Sequence, residues 1–81
     1  MSRPGDITLA VLLRRARLAV GLTLREVATS TGLSNPYISQ LENGHVRNPT
    51  VLAAAKLARC YGISVNEIVD AAERSEVAAN T

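Results

Sequence analysis

No tryptophan, no phenylalanine and only two tyrosines occur among the 81 residues of the chain, although 47% of them are hydrophobic. A core without large rings has to be assembled from Leu, Val, Ile and Ala, and such a composition favours short, closely packed helices. The single cysteine, Cys60, excludes an internal disulfide, has no second thiol with which to share a metal, and points to a reducing cytoplasm. His45 is the one histidine, and it lies far from Cys60 in the sequence. With no carboxylate pair, no metal-ligand spacing and no glycine-rich phosphate loop, neither an enzyme nor a bound metal or cofactor is expected. Met1 to Asp6 lacks the basic-then-apolar layout of a secretory signal, and no apolar run approaches the roughly 20 residues that span a bilayer. The expectation is a soluble cytoplasmic protein with no membrane partner.

A chain of this length has material for one compact domain and one core. Its net charge of +2 is modest but uneven. Residues 1–50 carry six arginines against Asp6, Glu26 and Glu42, a balance of +3, whereas residues 51–81 carry Lys56, Arg59 and Arg74 against Glu67, Asp70, Glu73 and Glu76, a balance of −1. The first half is the one suited to a polyanion.

Helical periodicity and stop signals divide the chain into five segments. Ile7 to Val20 places Leu9, Leu13, Ala16 and Val20 at helical spacing and ends at Gly21. Thr23-Leu24-Arg25-Glu26 is a capping box, so a second helix starts at Leu24 and stops before Gly32. A third helix is capped by Ser34 or Asn35, tolerates Pro36 in its first turn, and stops at Gly44. The polar stretch Asn43 to Pro49 is a loop, and Thr50 caps a fourth helix that reaches Tyr61 before Gly62. Ser64-Val65-Asn66-Glu67 has the pattern of a second capping box and opens a fifth helix. The class is all-α, with the domain over residues 1–74 and a small, polar, flexible tail expected over 75–81.

Thr31-Gly32-Leu33-Ser34 is too short a link for helices two and three to lie antiparallel, so they cross steeply as a helix-turn-helix. Val27, Ala28, Leu33, Ile38 and Leu41 are the expected core of that pair. On helix three, Ser34, Ile38, Leu41 and Glu42 fall to one side, while Asn35, Pro36, Ser39, Gln40 and Asn43 fall to the other. The outer side carries amides and hydroxyls in place of the Lys and Glu of an ordinary solvated face. A glutamine or asparagine can donate to and accept from adenine at once, and serine can meet several bases.

The ordered series Gly21-Leu22-Thr23-Leu24-Arg25-Glu26-Val27-Ala28, Thr31-Gly32-Leu33-Ser34, Tyr37-Ile38-Ser39-Gln40-Leu41-Glu42-Asn43-Gly44, Asn48-Pro49-Thr50, Lys56-Leu57-Ala58 and Gly62-Ile63-Ser64 strongly resembles the Cro and repressor (Xre) helix-turn-helix family of bacteria and phages. The resemblance implies a five-helix, lambda-repressor-like DNA-binding domain whose third helix reads the major groove. Carried onto this sequence, it implies that Asn35, Pro36, Ser39 and Gln40 face bases and that Tyr37, Asn43, Arg47 and Asn48 lie near phosphates. It also places Arg17 and Glu42 at the positions of an interhelical ion pair. Two positions depart from the family pattern. Leu24 replaces a polar phosphate-contacting residue, which moves that contact to Arg25 or to backbone amides; Pro36 leaves only apolar contact or shape for readout.

The implied function is a transcriptional regulator, a repressor that binds a palindromic operator as a homodimer. The surfaces offered for dimerisation are helix five, with Ile63, Val65 and Ile68, and the tail residues Val77, Ala78 and Ala79. An antitoxin autorepressor with a protein partner remains a second reading, and a protein-interaction adaptor a third. An adaptor calls for acidic or bulky apolar residues on the outer face of helix three, which this sequence lacks.

Overall fold

The computed structural model describes residues 7–80, with side-chain surroundings through residue 76. Five helices follow one another: α1 (Leu9–Ala19), α2 (Leu24–Thr31), α3 (Asn35–Glu42), α4 (Val51–Tyr61) and α5 (Val65–Asn80). Each of the first four begins where a hydroxyl satisfies an otherwise unpaired amide of the first turn. Thr8 accepts from the Val11 amide, Thr23 from Glu26, Ser34 from Tyr37 and Thr50 from Ala53. Because Thr8 caps α1, that helix starts at Leu9 and not at Ile7. Of the two cap candidates for α3, Ser34 takes the position. At α2 the capping box is reciprocal, with Thr23 N donating to Glu26 Oε1 at 2.9 Å. At α5 only half of the expected box is present among the described residues: Ser64 Oγ accepts from the Glu67 amide at 3.2 Å.

α1 packs against α3 and α5, α2 against α3 and α4, and α4 against α5. Their common core is Leu9, Leu13, Val27, Ile38, Leu41, Leu57 and Ile68, each at most 1% exposed. Ala28 and Leu33 are half-buried against this cluster. Between α2 and α3 the chain turns at Gly32, whose φ of 76° lies in the left-handed region that glycine enters without steric cost. Thr31 completes the turn, its hydroxyl donating to Val27 O at 2.7 Å and accepting from Leu33 N at 3.2 Å.

α5 continues beyond the boundary expected at residue 74. Ser75 is buried, its Oγ accepting from Leu9 N at 2.9 Å and donating to Ala71 O at 2.8 Å. Leu9 carries the first amide of α1, which has no partner within its own helix, so a small polar residue assigned to the tail is in fact a cap supplied from another helix. Arg74 Nε donates to Ile7 O at 3.1 Å and ties the same two elements. The environments of Val77, Ala78 and Ala79 lie outside the described residues.

Candidate nucleic-acid interface

The orientation of α3 is set by a carboxylate that the helix buries. Glu42 is 6% exposed, and Arg17 of α1 grips it with two bonds, Nε to Oε2 at 2.8 Å and Nη2 to Oε1 at 3.0 Å. A third guanidinium bond, Nη1 to Leu22 O at 2.9 Å, joins the segment before α2 to the same group. The bond to Glu42 holds the Arg17 guanidinium above its ordinary range, against the opposing pull of burial. Geometry of this kind fixes direction more than it adds net stability, because both charges leave water. Tyr61 packs beside the pair; burial first, and the Glu42 charge second, push its hydroxyl up.

With Ile38, Leu41 and Glu42 turned inward, Asn35, Pro36, Gln40 and Asn43 are exposed and Ser39 is half-buried at the edge of the same face. The four residues expected at base edges therefore lie together on one side of one helix, three of them exposed and Ser39 partly covered by Asn43. The loop after α3 is drawn back onto it: the amides of His45 and Val46 both donate to Gln40 O, at 2.9 and 3.2 Å. Val46 packs on the core, which leaves Arg47 and Asn48 exposed just beyond the point where the loop is attached. Arg25 is exposed in the first turn of α2.

Tyr37 does not join this group in the way expected. Its ring packs against the core and its hydroxyl is enclosed without a hydrogen-bond partner among the described residues, so the oxygen expected near a phosphate is turned inward. An aromatic ring one position from an exposed proline has more apolar surface to lose than its single hydroxyl has to gain in water. Asn43 is exposed but engaged: Arg14 Nη2 meets its Oδ1 at 3.4 Å, and its own Nδ2 meets Ser39 Oγ at 3.2 Å.

Arg14 is the residue that sequence reasoning misses, because it belongs to the polar face of α1. In the structure it reaches α3, with Nε 3.6 Å from Glu42 Oε1. Its spacing of three from Arg17 is the available signal, since residues one turn apart share a helix face. A second correction concerns the apolar surface. Ile68 is fully buried and Ile63 half-buried, so of the helix-five set only Val65 is exposed. Val51, Val65 and Val69 are exposed and line a groove of about 220 Å³ between α4 and α5, with exposed Leu52 next to Val51 in the chain; Val11, Leu18 and Val20, on α1 and at its end, are exposed as well. No helix among the described residues is long and apolar enough to cross a membrane.

Comparison with known proteins agrees with the all-α helix-turn-helix fold. A helix-turn-helix family model matches residues 13–68. The chain is 46% identical over 55 residues to the uncharacterized HTH-type transcriptional regulator y4dJ of Sinorhizobium fredii, covering 68% of this chain and 70% of that one. It is 38% identical over 61 residues to the HTH-type transcriptional regulator DdrOP3 of Deinococcus deserti, covering 75% of this chain but 46% of that protein's length. No solved structure matches it significantly. The chain belongs to the Cro and repressor-type (Xre) helix-turn-helix family.

Proposed function

We propose that this chain is a sequence-specific DNA-binding transcriptional regulator, a repressor that occupies a palindromic operator as a homodimer in the cytoplasm. Its work in this reading is binding, with no catalytic step and no cofactor. The observation that carries the proposal is the exposed, uncharged, amide-and-hydroxyl face of α3, held outward by the buried Arg17–Glu42 pair. Asn35, Pro36, Ser39 and Gln40 meet base edges, Pro36 by apolar contact alone. Arg25, Arg47 and Asn48 meet phosphates. Tyr37 is left out of the phosphate set because its hydroxyl is enclosed, whereas Asn43, exposed at the end of α3, keeps its second amide hydrogen for a phosphate while the other meets Ser39.

The second copy sits on the face around Val51, Leu52, Val65 and Val69. Val51, 86% exposed, stands at the wall of the α4–α5 groove, so the same patch offers a knob and a hole. That is what a two-fold interface requires. Two recognition helices related in this way read half-sites about 10 base pairs apart.

Selection from a random duplex pool tests the reading. Recovery of one short motif repeated with two-fold symmetry at that spacing supports it, and recovery without enrichment of any sequence removes it. Arg47 provides a separate check on the phosphate assignment. Arg47→Ala is expected to weaken cognate and unrelated duplexes alike and to reduce the slope of log K against log salt by about one. Fluorescence anisotropy titrations at several salt concentrations measure both quantities.

A further inference from the structure

Arg14, Asn43 and Ser39 form a chain of hydrogen bonds from α1 across the end of α3 to its outer face. The direction of that chain is fixed by chemistry. A guanidinium has only donors, so the Asn43 amide must turn its oxygen to Arg14 at 3.4 Å, which leaves its NH2 to face Ser39 Oγ at 3.2 Å. Ser39 Oγ is thereby an acceptor within the protein. Its own proton is left over. Three other helical hydroxyls give theirs to a carbonyl one turn back, Thr29 to Arg25 O, Thr31 to Val27 O and Ser75 to Ala71 O. No such bond occupies Ser39 among the described residues.

We infer that the Arg14–Asn43–Ser39 relay, by occupying one of the two lone pairs of Ser39 Oγ, biases this hydroxyl toward donating on the recognition face, so that it favours a base bearing an acceptor over cytosine. In the major groove guanine offers O6 and N7, thymine O4 and adenine N7, whereas cytosine offers only its N4 donor. A serine alone has no such preference, because its hydroxyl rotates to suit either partner. Arg14 and Asn43 are thus positioning residues that set specificity without touching the base. The inference rests on the reading that α3 faces bases.

The reversing substitution is Asn43→Asp. A carboxylate accepts from Arg14 and from Ser39 together, so the serine proton turns inward and its lone pairs face the groove. Enrichment from a random duplex pool is compared for the unaltered protein, Ser39→Ala, Arg14→Met and Asn43→Asp, each checked for folding by circular dichroism. At one base position the unaltered protein disfavours cytosine, Ser39→Ala and Arg14→Met flatten the preference, and Asn43→Asp raises cytosine about five- to tenfold relative to guanine. Relative enrichment is the quantity read, so a general loss of affinity from the added charge cancels between bases. If Ser39→Ala relaxes that position while Asn43→Asp and Arg14→Met leave cytosine as disfavoured as before, the relay is refuted and Ser39 stands as a base contact. If Ser39→Ala changes no position, the assignment of Ser39 to bases fails, and the relay with it.

Discussion

Arg17→Met is expected to lower the unfolding free energy by about 3–5 kcal/mol, a large share of what a domain of this size has. The cost does not come from the attraction lost, which desolvation of both ions largely cancels. It comes from Glu42, whose side chain is 2% exposed and would be left charged, or forced to take up a proton, without its partner. Arg14 sits on the exposed side at 3.6 Å and is too solvated to replace a two-bond grip. Leu22 O loses its donor in the same variant. Urea denaturation of Arg17→Met, Glu42→Leu and the double variant separates these contributions. The double variant should recover most of the stability, since an apolar pair of similar volume is often as good as a buried ion pair, and the coupling between the two sites should be large. A loss below about 1 kcal/mol in Arg17→Met would mean that Glu42 is hydrated in solution, and the ion pair would then not be what directs α3.

The parts of this fold that the sequence displays are those decided within a few residues. Caps at Thr23 and Thr50, the cap of α3 to within one residue, the stop at Gly32 and the inward turn of Ile38, Leu41 and Glu42 all follow from hydroxyls, glycines and spacing that act over a single turn. What it hides is action between helices. Ser75 reads as a small polar tail residue until the first amide of α1 is placed against it at 2.9 Å. Arg14 reads as solvated surface until α1 and α3 are packed, whereas Arg17 is legible because the family resemblance supplies its partner. Ile68 and Val65 share an apolar stripe in the sequence, and only the packing of α4 on α5 decides that Ile68 is interior and Val65 is not. Tyr37 is different, for its spacing of four from Leu41 already puts its ring on the inward side of α3, and it is the resemblance that led its hydroxyl to be expected at a phosphate.

Gln40→Ala is expected to cost about 1–3 kcal/mol on the cognate operator and to relax preference at one base pair. The substitution isolates recognition because stability should not move. Gln40 is exposed, its contribution to the closing of α3 is its main-chain carbonyl, which His45 and Val46 amides hold at 2.9 and 3.2 Å, and alanine is a better helix former. Charge is also unchanged, so binding to unrelated duplexes and the salt slope should stay where they were, in contrast to Arg47→Ala. Anisotropy titrations against the selected operator and its single-base variants, at one fixed salt concentration, give the whole pattern. An amide that donates to and accepts from adenine loses both bonds at once when truncated, so the penalty concentrates on one position and the base variants there converge in affinity. Were all variants to weaken equally, or none, Gln40 would be a solvated side chain beside the groove and the reading of α3 would have to rest on Asn35 and Ser39.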